Sequence, residues 1–239
     1  MPATLTVGLA QFEPAKGNTV KNLAQHVELI EYAANEQVKL LIFPELSLTG
    51  YEPELAAELA MEYTSAPLQA LHKLAKQHSM TILAGAPLRT KDNKPELALV
   101  IFSPDEPIRH YSKIHLHGIE NTYFTSGNQH MTLSISSFSI GLAVCADTAN
   151  PKHIQNTIAA GADCYLASVL CSEQGFSSDS EMLSNYAQHH NIVIGMANYI
   201  GQSGPYKCAG RSSFWGKDGS ILSQATRNNT SLVTTSLTK

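Results

Sequence analysis

The sequence predicts an α/β protein whose sheets are mixed and covered on their outer faces by helices. Three observations predict it. Strand-like apolar stretches interleave with helical stretches that are apolar on one side only. Residues 96–103 and 108–111 read as two strands joined by Pro104-Asp105-Glu106-Pro107, a turn with proline at both ends, which implies an antiparallel pair within the alternating pattern. Residues 139–151, SIGLAVCADTANP, pass from period-two alternation into a helix, with Pro151 at its start and Ile154 and Ile158 at helical spacing.

Each element follows in order. Residues 4–11 alternate and predict the first strand, and Asn18 can cap a helix carrying Leu23, Val27, Ile30 and Ala34 on one face. Residues 39–43 form a nearly continuous apolar run, of the kind buried on both sides, ending in Pro44 and Glu45. The segment 46–62 holds the loop LSLTGYEP and then an Ala/Leu/Glu-rich stretch that predicts a helix. A further helix starts at Pro67, with Leu68, Leu71, Leu74 and Ala75 inward, and leads into a strand over 80–84. Beyond residue 151 come a helix over 151–160, a strand over 164–169, a helix over 179–189 and a strand over 192–197. A closing hairpin is predicted from 208–215 and 220–222 around Gly216-Lys217-Asp218-Gly219, followed by a last strand over 231–236. No linker or short repeat divides the chain, so residues 1–239 are expected to form a single domain.

Composition excludes several function classes. The 239 residues are 43% apolar and 15% charged with a formal net charge of −4, an ordinary globular balance. Lys and Arg are scattered, without the basic run or interleaved aromatics that a phosphate backbone calls for, so no nucleic-acid partner is expected. No apolar run approaches a membrane span, and the N-terminal stretch reads as a strand without a basic leader. The four cysteines have neither CxxC spacing nor the density of a disulfide scaffold, which points to a reducing cytoplasm.

Four reactive side chains stand out. Alternation aims Cys145 to the same side as Gly141 and Ala143, a face with room for something other than protein. Its place before a helix start would favour the nucleophilic thiolate. Taken alone, a free cysteine on an apolar strand is most often a small core residue. Glu45 alone would be a solvated strand end. Lys113 and Glu120 alone would be a surface pair worth little. However, the stretch 111–129 that carries them is too long and too patterned for a simple turn, with Phe124 and Gly127 available to pin it down. His115 and His117 supply only two of the three or four ligands of a zinc site, and His189-His190 at a helix end suit its terminal carbonyls. No metal and no cofactor is indicated.

FPE around Glu45, YSKIHL with a later glutamate around Lys113 and Glu120, and Cys145 followed by Asp147 and Pro151 resemble the signature blocks of the nitrilase, or carbon-nitrogen hydrolase, superfamily, in that family's order. Gln11, Gly17, Asn22-Leu23, Ala197-Asn198 and Gly210-Arg211-Ser212 agree, so the resemblance runs from about residue 4 to 222. It implies a four-layer αββα sandwich with two mixed β-sheets, in which Glu45, Lys113 and Cys145 converge with Glu120 beside them. It further implies that Cys145 attacks, that Glu45 moves the protons, and that Lys113 with the backbone N–H of Ala146 holds the oxyanion. Glu120 would orient Lys113 or bind substrate. Cys171 falls where relatives place pocket-lining residues, with an ordinary buried or loop thiol as the equal alternative, and Tyr51 is a second candidate for the substrate pocket. The implied reaction is hydrolysis of a small linear amide or N-carbamoyl compound through a thioester, with water as co-substrate and no cofactor.

The chain departs from the family pattern at three positions. Ala146 stands where an aromatic residue is common, and Ala149-Asn150 replace the Arg-Phe that usually precedes the proline, which alters the pocket without removing a backbone donor. Homodimerisation through helix packing is implied, whereas tail exchange is not, because the chain stops at Lys239 soon after the last strand. Alternatives from other classes are an acyltransferase with the same intermediate, a catalytically silent interaction module, and a thiol-redox or Cys–His protease-like protein. The last would need a histidine beside the sulfur.

Overall fold

In the computed structural model, which describes residues 2–91 and 94–239, the chain forms two six-stranded sheets that face each other. The first half builds one of them from β1 (Thr4–Gln11), β2 (Leu40–Ile42), β3 (Thr81–Leu88), β4 (Glu96–Phe102) and β5 (Arg109–Ser112). Helices α1 (Thr19–Asn35) and α2 (Ala66–His78) provide the crossovers that make β1, β2 and β3 parallel neighbours. The four-residue helix α3 (Glu120–Tyr123) follows β5.

The second half lays down β6 (Thr132–Ile135), β7 (Phe138–Val144), α4 (Pro151–Ala159), β8 (Cys164–Ser168), α5 (Phe176–His190) and β9 (Val193–Ala197). After these come the small pair β10 (Gln202–Ser203) and β11 (Tyr206–Lys207), then β12 (Ser213–Trp215), β13 (Ile221–Gln224) and β14 (Ser231–Thr238). The sheet orders are β14-β1-β2-β3-β4-β5 and β13-β12-β9-β8-β7-β6. Both mix parallel and antiparallel pairs, and β4 with β5 is antiparallel, as the proline-flanked turn implies.

Packing makes this an αββα sandwich. α1 and α2 pack on each other and on the first sheet, and α4 and α5 pack on β7, β9 and β12. One apolar core joins Ile30 and Leu71 of the helices, Leu41, Leu83 and Leu99 of the first sheet, and Ile140, Leu142, Leu166 and Phe214 of the second. Another core, with Ala143, Ile154, Tyr165, Leu183, Ile194 and Trp215, lies between the second sheet and its helices. Residues of β7 therefore alternate between the two cores, because successive strand side chains point to opposite faces. At the strand ends, the Ser168 hydroxyl of β8 donates to the Phe43 carbonyl at 2.8 Å and ties the sheets together beside Glu45.

Three local expectations are corrected. The Ala/Leu/Glu-rich stretch before residue 62 forms only a single 3-10 turn, Pro53–Leu55, then turns. Its helix-forming composition loses to its role as a connection laid over the sheet end, where Met61 bridges to Leu88. The inward face of α1 is rotated from the apolar one: Asn22, His26, Leu29, Ile30 and Ala33 are buried while Leu23, Val27 and Ala34 flank them. Two polar residues take the inner positions because each has hydrogen-bonding partners there. Strand β6, not foreseen, pairs antiparallel with β7.

Candidate active site

Glu45 sits where β2 runs into a turn. Leu46 adopts a left-handed φ of 52°, and the turn lies so close to β3 that a Cβ added at Gly85 would stand 2.1 Å from the Leu46 nitrogen. The Gly85 N–H donates to Ser47 Oγ at 2.9 Å, and Ser47 pairs with His26 Nε2 at 2.9 Å. His26 Nδ1 lies 2.7 Å from the Asn22 carbonyl. Since a carbonyl only accepts, Nδ1 carries the proton and Nε2 accepts from Ser47. Burial lowers the His26 pKa to about 4, so this brace is neutral. On the other side, the Tyr199 hydroxyl donates to the Glu45 carbonyl at 2.7 Å.

Lys113 follows β5 and is wholly buried. Its carbonyl accepts the Gly127 N–H at 2.8 Å, and a Cβ at Gly127 would fall 2.3 Å from the Ser112 oxygen, so this glycine permits the loop to close. Phe124, also buried, holds the same loop. Lys113 Nζ donates to Glu45 Oε1 and to Glu120 Oε1, each at 2.7 Å. Two further protein donors hold Glu120: Oε1 also receives the Tyr51 hydroxyl at 2.8 Å, and Oε2 receives the His117 N–H at 2.8 Å.

Cys145 is not on the strand. β7 ends at Val144, and Cys145 opens a 3-10 turn over Cys145–Asp147 with a left-handed φ of 43°. The face of Gly141 and Ala143 offers no room either: α4 covers it so closely that a Cβ at Gly141 would lie 2.0 Å from Thr157 Cγ2. The sharp turn, not the small-residue face, brings the sulfur to a cavity. Helix α4 starts only at Pro151, several residues further on, capped by Asn150 through the Lys152 N–H at 3.0 Å.

A buried carboxylate holds this turn in place. Asp147 Oδ2 accepts from the Val144 N–H at 3.0 Å and the Tyr111 hydroxyl at 2.7 Å. Its Oδ1 accepts from the N–H groups of Ile114 and His115 at 3.2 and 2.8 Å, and from His115 Nδ1 at 2.9 Å. His115 Nε2 in turn takes the Asn150 amide at 2.7 Å. Asn150, one of the departures from the family pattern, thus joins the start of α4 to the loop after Lys113. Tyr111 also meets His153 Nε2 at 2.9 Å, and burial lowers the His153 pKa to about 4.

A cavity of about 260 Å³ is lined by Glu45, Tyr51, Glu120, Cys145, Ala146 and Cys171, so the sequence-predicted residues other than Lys113 border one space. Lys113 lies behind Glu45 and Glu120. Burial raises the Glu45 pKa to about 7, helped by Glu120 and opposed by Lys113. Burial and the glutamates also push the Cys145 thiol up, against the pull of Lys113, so the resting sulfur keeps its proton. Burial draws Lys113 downward, but Glu45, Cys145 and Glu120 outweigh it and hold the ammonium above its ordinary value. Glu45 Oε2 is buried without a hydrogen-bond partner. The charged groups that act most strongly on Cys145 are Glu45, Lys113 and Glu120, a carboxylate and ammonium setting in place of the imidazole of a Cys–His pair.

Other candidates resolve differently. His115 is engaged with Asp147 and Asn150, and among the described residues no group of three or more His, Cys, Asp or Glu is arranged to hold a metal ion. All four cysteines are free. Asp179, expected only to open a helix, lies in the first turn of α5 and borders the cavity with Met182 and Tyr206, none of which carried a sequence signal. Among the described residues, no helix is long and apolar enough to cross a membrane.

Comparison with known proteins bears on the family and the fold. The sequence model described as carbon-nitrogen hydrolase matches residues 6–239. Similar relatives include a glutamine-dependent NAD(+) synthetase of Thermotoga maritima, 27% identical over 82% of this chain and 36% of its own. The chain therefore spans about a third of that protein. A 2-oxoglutaramate amidase of Bacillus subtilis is 24% identical over 93% of this chain and 86% of its own. Among solved structures, the amidase from Nesterenkonia sp. AN1, in a form with the acetamide moiety of fluoroacetamide added at its active-site cysteine, superposes with a TM-score of 0.91 at 22% identity, covering 98% of this chain and 90% of its own.

Proposed function

The chain belongs to the carbon-nitrogen hydrolase family, and from that premise we propose that it hydrolyses a small linear amide or N-carbamoyl compound through a thioester on Cys145. The observation that carries the reading is that Cys145 and Glu45 border one cavity with Lys113 bonded to Glu45 just outside its lining, the three coming from distant segments of the chain. A cavity of about 260 Å³ suits a short acyl group, being just below the usual range for drug-sized ligands.

The residues divide the work as follows. Cys145 Sγ attacks the carbonyl carbon while its proton passes to Glu45, whose pKa of about 7 lets it take and return a proton near neutrality. Lys113, held by the two glutamates outside the cavity lining, stabilises the oxyanion by its charge, while the Ala146 backbone N–H on the lining donates to it. The tetrahedral adduct collapses, the C–N bond breaks, and Glu45 returns the proton to the departing ammonia or amine. Water then attacks the thioester, giving its proton to Glu45, and the acid leaves as the thiol re-forms. Glu120, held by Lys113, Tyr51 and His117, positions the ammonium.

The test is intact-protein mass spectrometry after incubation with a panel of amides and N-carbamoyl compounds, alongside product assay. An acyl adduct on wild type that is absent from Cys145→Ala, with turnover lost and the fold retained, is the expected result. Turnover by Cys145→Ala would sink the assignment. We extend the reading to a single domain acting as a cytoplasmic homodimer, which light scattering of the purified chain checks as to assembly.

A further inference from the structure

Glu45 works from a turn, and helix α1 grips the chain on both sides of it. His26 of α1 is wholly buried and meets the residue two places before Glu45 and the residue two places after. Its ring stacks on Phe43, with centroids 4.0 Å and planes 23° apart, while Nε2 lies 2.9 Å from Ser47 Oγ. One helical turn earlier, Asn22 Nδ2 donates to the Leu48 carbonyl at 3.2 Å. Phe12 closes the other side, its ring edge-on to the imidazole at 5.3 Å.

The direction of the bonds gives the imidazole a part that an apolar side chain lacks. Because Nδ1–H donates to the Asn22 carbonyl, Nε2 accepts the Ser47 hydroxyl, and the Ser47 oxygen is free to accept the Gly85 N–H at 2.9 Å. Without that acceptor a buried hydroxyl proton is stranded, and relieving it means turning Ser47 away from β3. Leu46, between Ser47 and Glu45, already holds a left-handed φ of 52°, so the turn has little slack to absorb the change. Phe12, Phe43, Ser47 and the Asn22 carbonyl, which face the ring, carry no charge, and burial favours the neutral imidazole that accepts from Ser47.

We propose that His26 is a positioning residue for the catalytic base: stacked on Phe43 and accepting the Ser47 hydroxyl, it sets where the Glu45 carboxylate stands relative to Lys113 and Cys145. This goes beyond the hydrolase reading and rests on its assignment of Glu45 as the base. Every turnover requires Glu45 to take a proton, first from the thiol and then from water, so an error of about 1 Å in its place costs about a hundredfold in rate.

The test follows phenolate release from para-nitrophenyl butyrate, an activated ester whose leaving group needs no proton. In His26→Phe and in Ser47→Ala, kcat should fall at least about tenfold with KM within about threefold of wild type. The double variant should be no slower than the slower single one, because both remove the same bond. His26→Gln, whose amide oxygen accepts from Ser47, should recover kcat to within about threefold of wild type. In Ser47→Ala the acid limb of kcat/KM should also move up by about 0.5 pH unit or more, since a carboxyl drawn away from Lys113 keeps its burial and loses part of its cation. Rates within about threefold of wild type in both single variants, effects that multiply in the double variant, or a lowered melting temperature with an unmoved acid limb would overturn the proposal while leaving the hydrolase standing. Should His26→Phe fail to fold, Ser47→Ala and its acid limb decide. Wild type that releases no more phenolate than Cys145→Ala would instead remove the hydrolase reading, and Glu45→Gln turning over at the wild-type rate would remove the base.

Discussion

Asp147 Oδ1 accepts the backbone N–H of His115 at 2.8 Å, so the turn that carries Cys145 and the loop that carries Lys113 hang on one buried carboxylate. That relationship fixes the separation of two residues 32 positions apart through their backbone segments. Asp147→Ala would strand the N–H groups of Val144, Ile114 and His115 and the Tyr111 hydroxyl. We expect a loss of about 3–5 kcal/mol in urea unfolding and a fall in kcat of about a hundredfold or more. Wild-type turnover in this variant would mean that the clamp is dispensable.

Two glycines separate positioning from stability. Gly85→Ala must push the Leu46 backbone aside, and Glu45 with it, so kcat/KM should fall by about a hundredfold. Gly141→Ala collides with Thr157 under α4, away from the cavity, and should cost about 1–3 kcal/mol in a thermal melt. The contrast between the rate loss of the first and the stability loss of the second is the measurement.

Activity should depend on pH through Glu45. Below a pKa of about 7 its carboxyl is protonated and cannot take the thiol proton, so log kcat/KM should rise with unit slope and level off above that value. A profile flat from pH 5 to 8 would exclude Glu45 as the base.

Stability should depend on pH through His26. Its folded pKa, lowered to about 4, lies below the ordinary value of 6.5, so above 6.5 both folded and unfolded chains hold it neutral. Between 6.5 and about 4 only the unfolded chain takes up the proton, and stability falls with pH by up to about 1.4 kcal/mol per pH unit. Urea midpoints at pH 7 and 5 should differ less in His26→Gln than in wild type, and an unchanged difference would contradict this.

Legibility in the sequence tracked how local each cause is. Strands such as β1 and β8 and the cap at Asn18 declare themselves by period and residue type, and the signature blocks single out Glu45, Lys113 and Cys145. The left-handed turn at Cys145 did not show, because alternation from Ile140 to Val144 gives no hint that the next residue leaves the strand. Nor did the burial of Asn22 and His26, which depends on Ser47 and on backbone carbonyls far along the chain. In the sequence, Asn150 reads only as half of the Ala149-Asn150 pair that replaces Arg-Phe. Its bond to His115 becomes visible only once the loop and α4 are neighbours.

β14 pairs with β1 along eight residues, from Thr4 opposite Thr238 to Gln11 opposite Ser231. Gln11 Nε2 also donates to the carbonyls of Thr226 and Asn229 just upstream. While the ribosome is still making this protein, β1 therefore waits with one edge bare for a partner that emerges more than 200 residues later. A nascent chain stalled before Ser231 would present that edge to any passing strand, so the arrival of β14 is also what makes β1 safe from sticking to its neighbours.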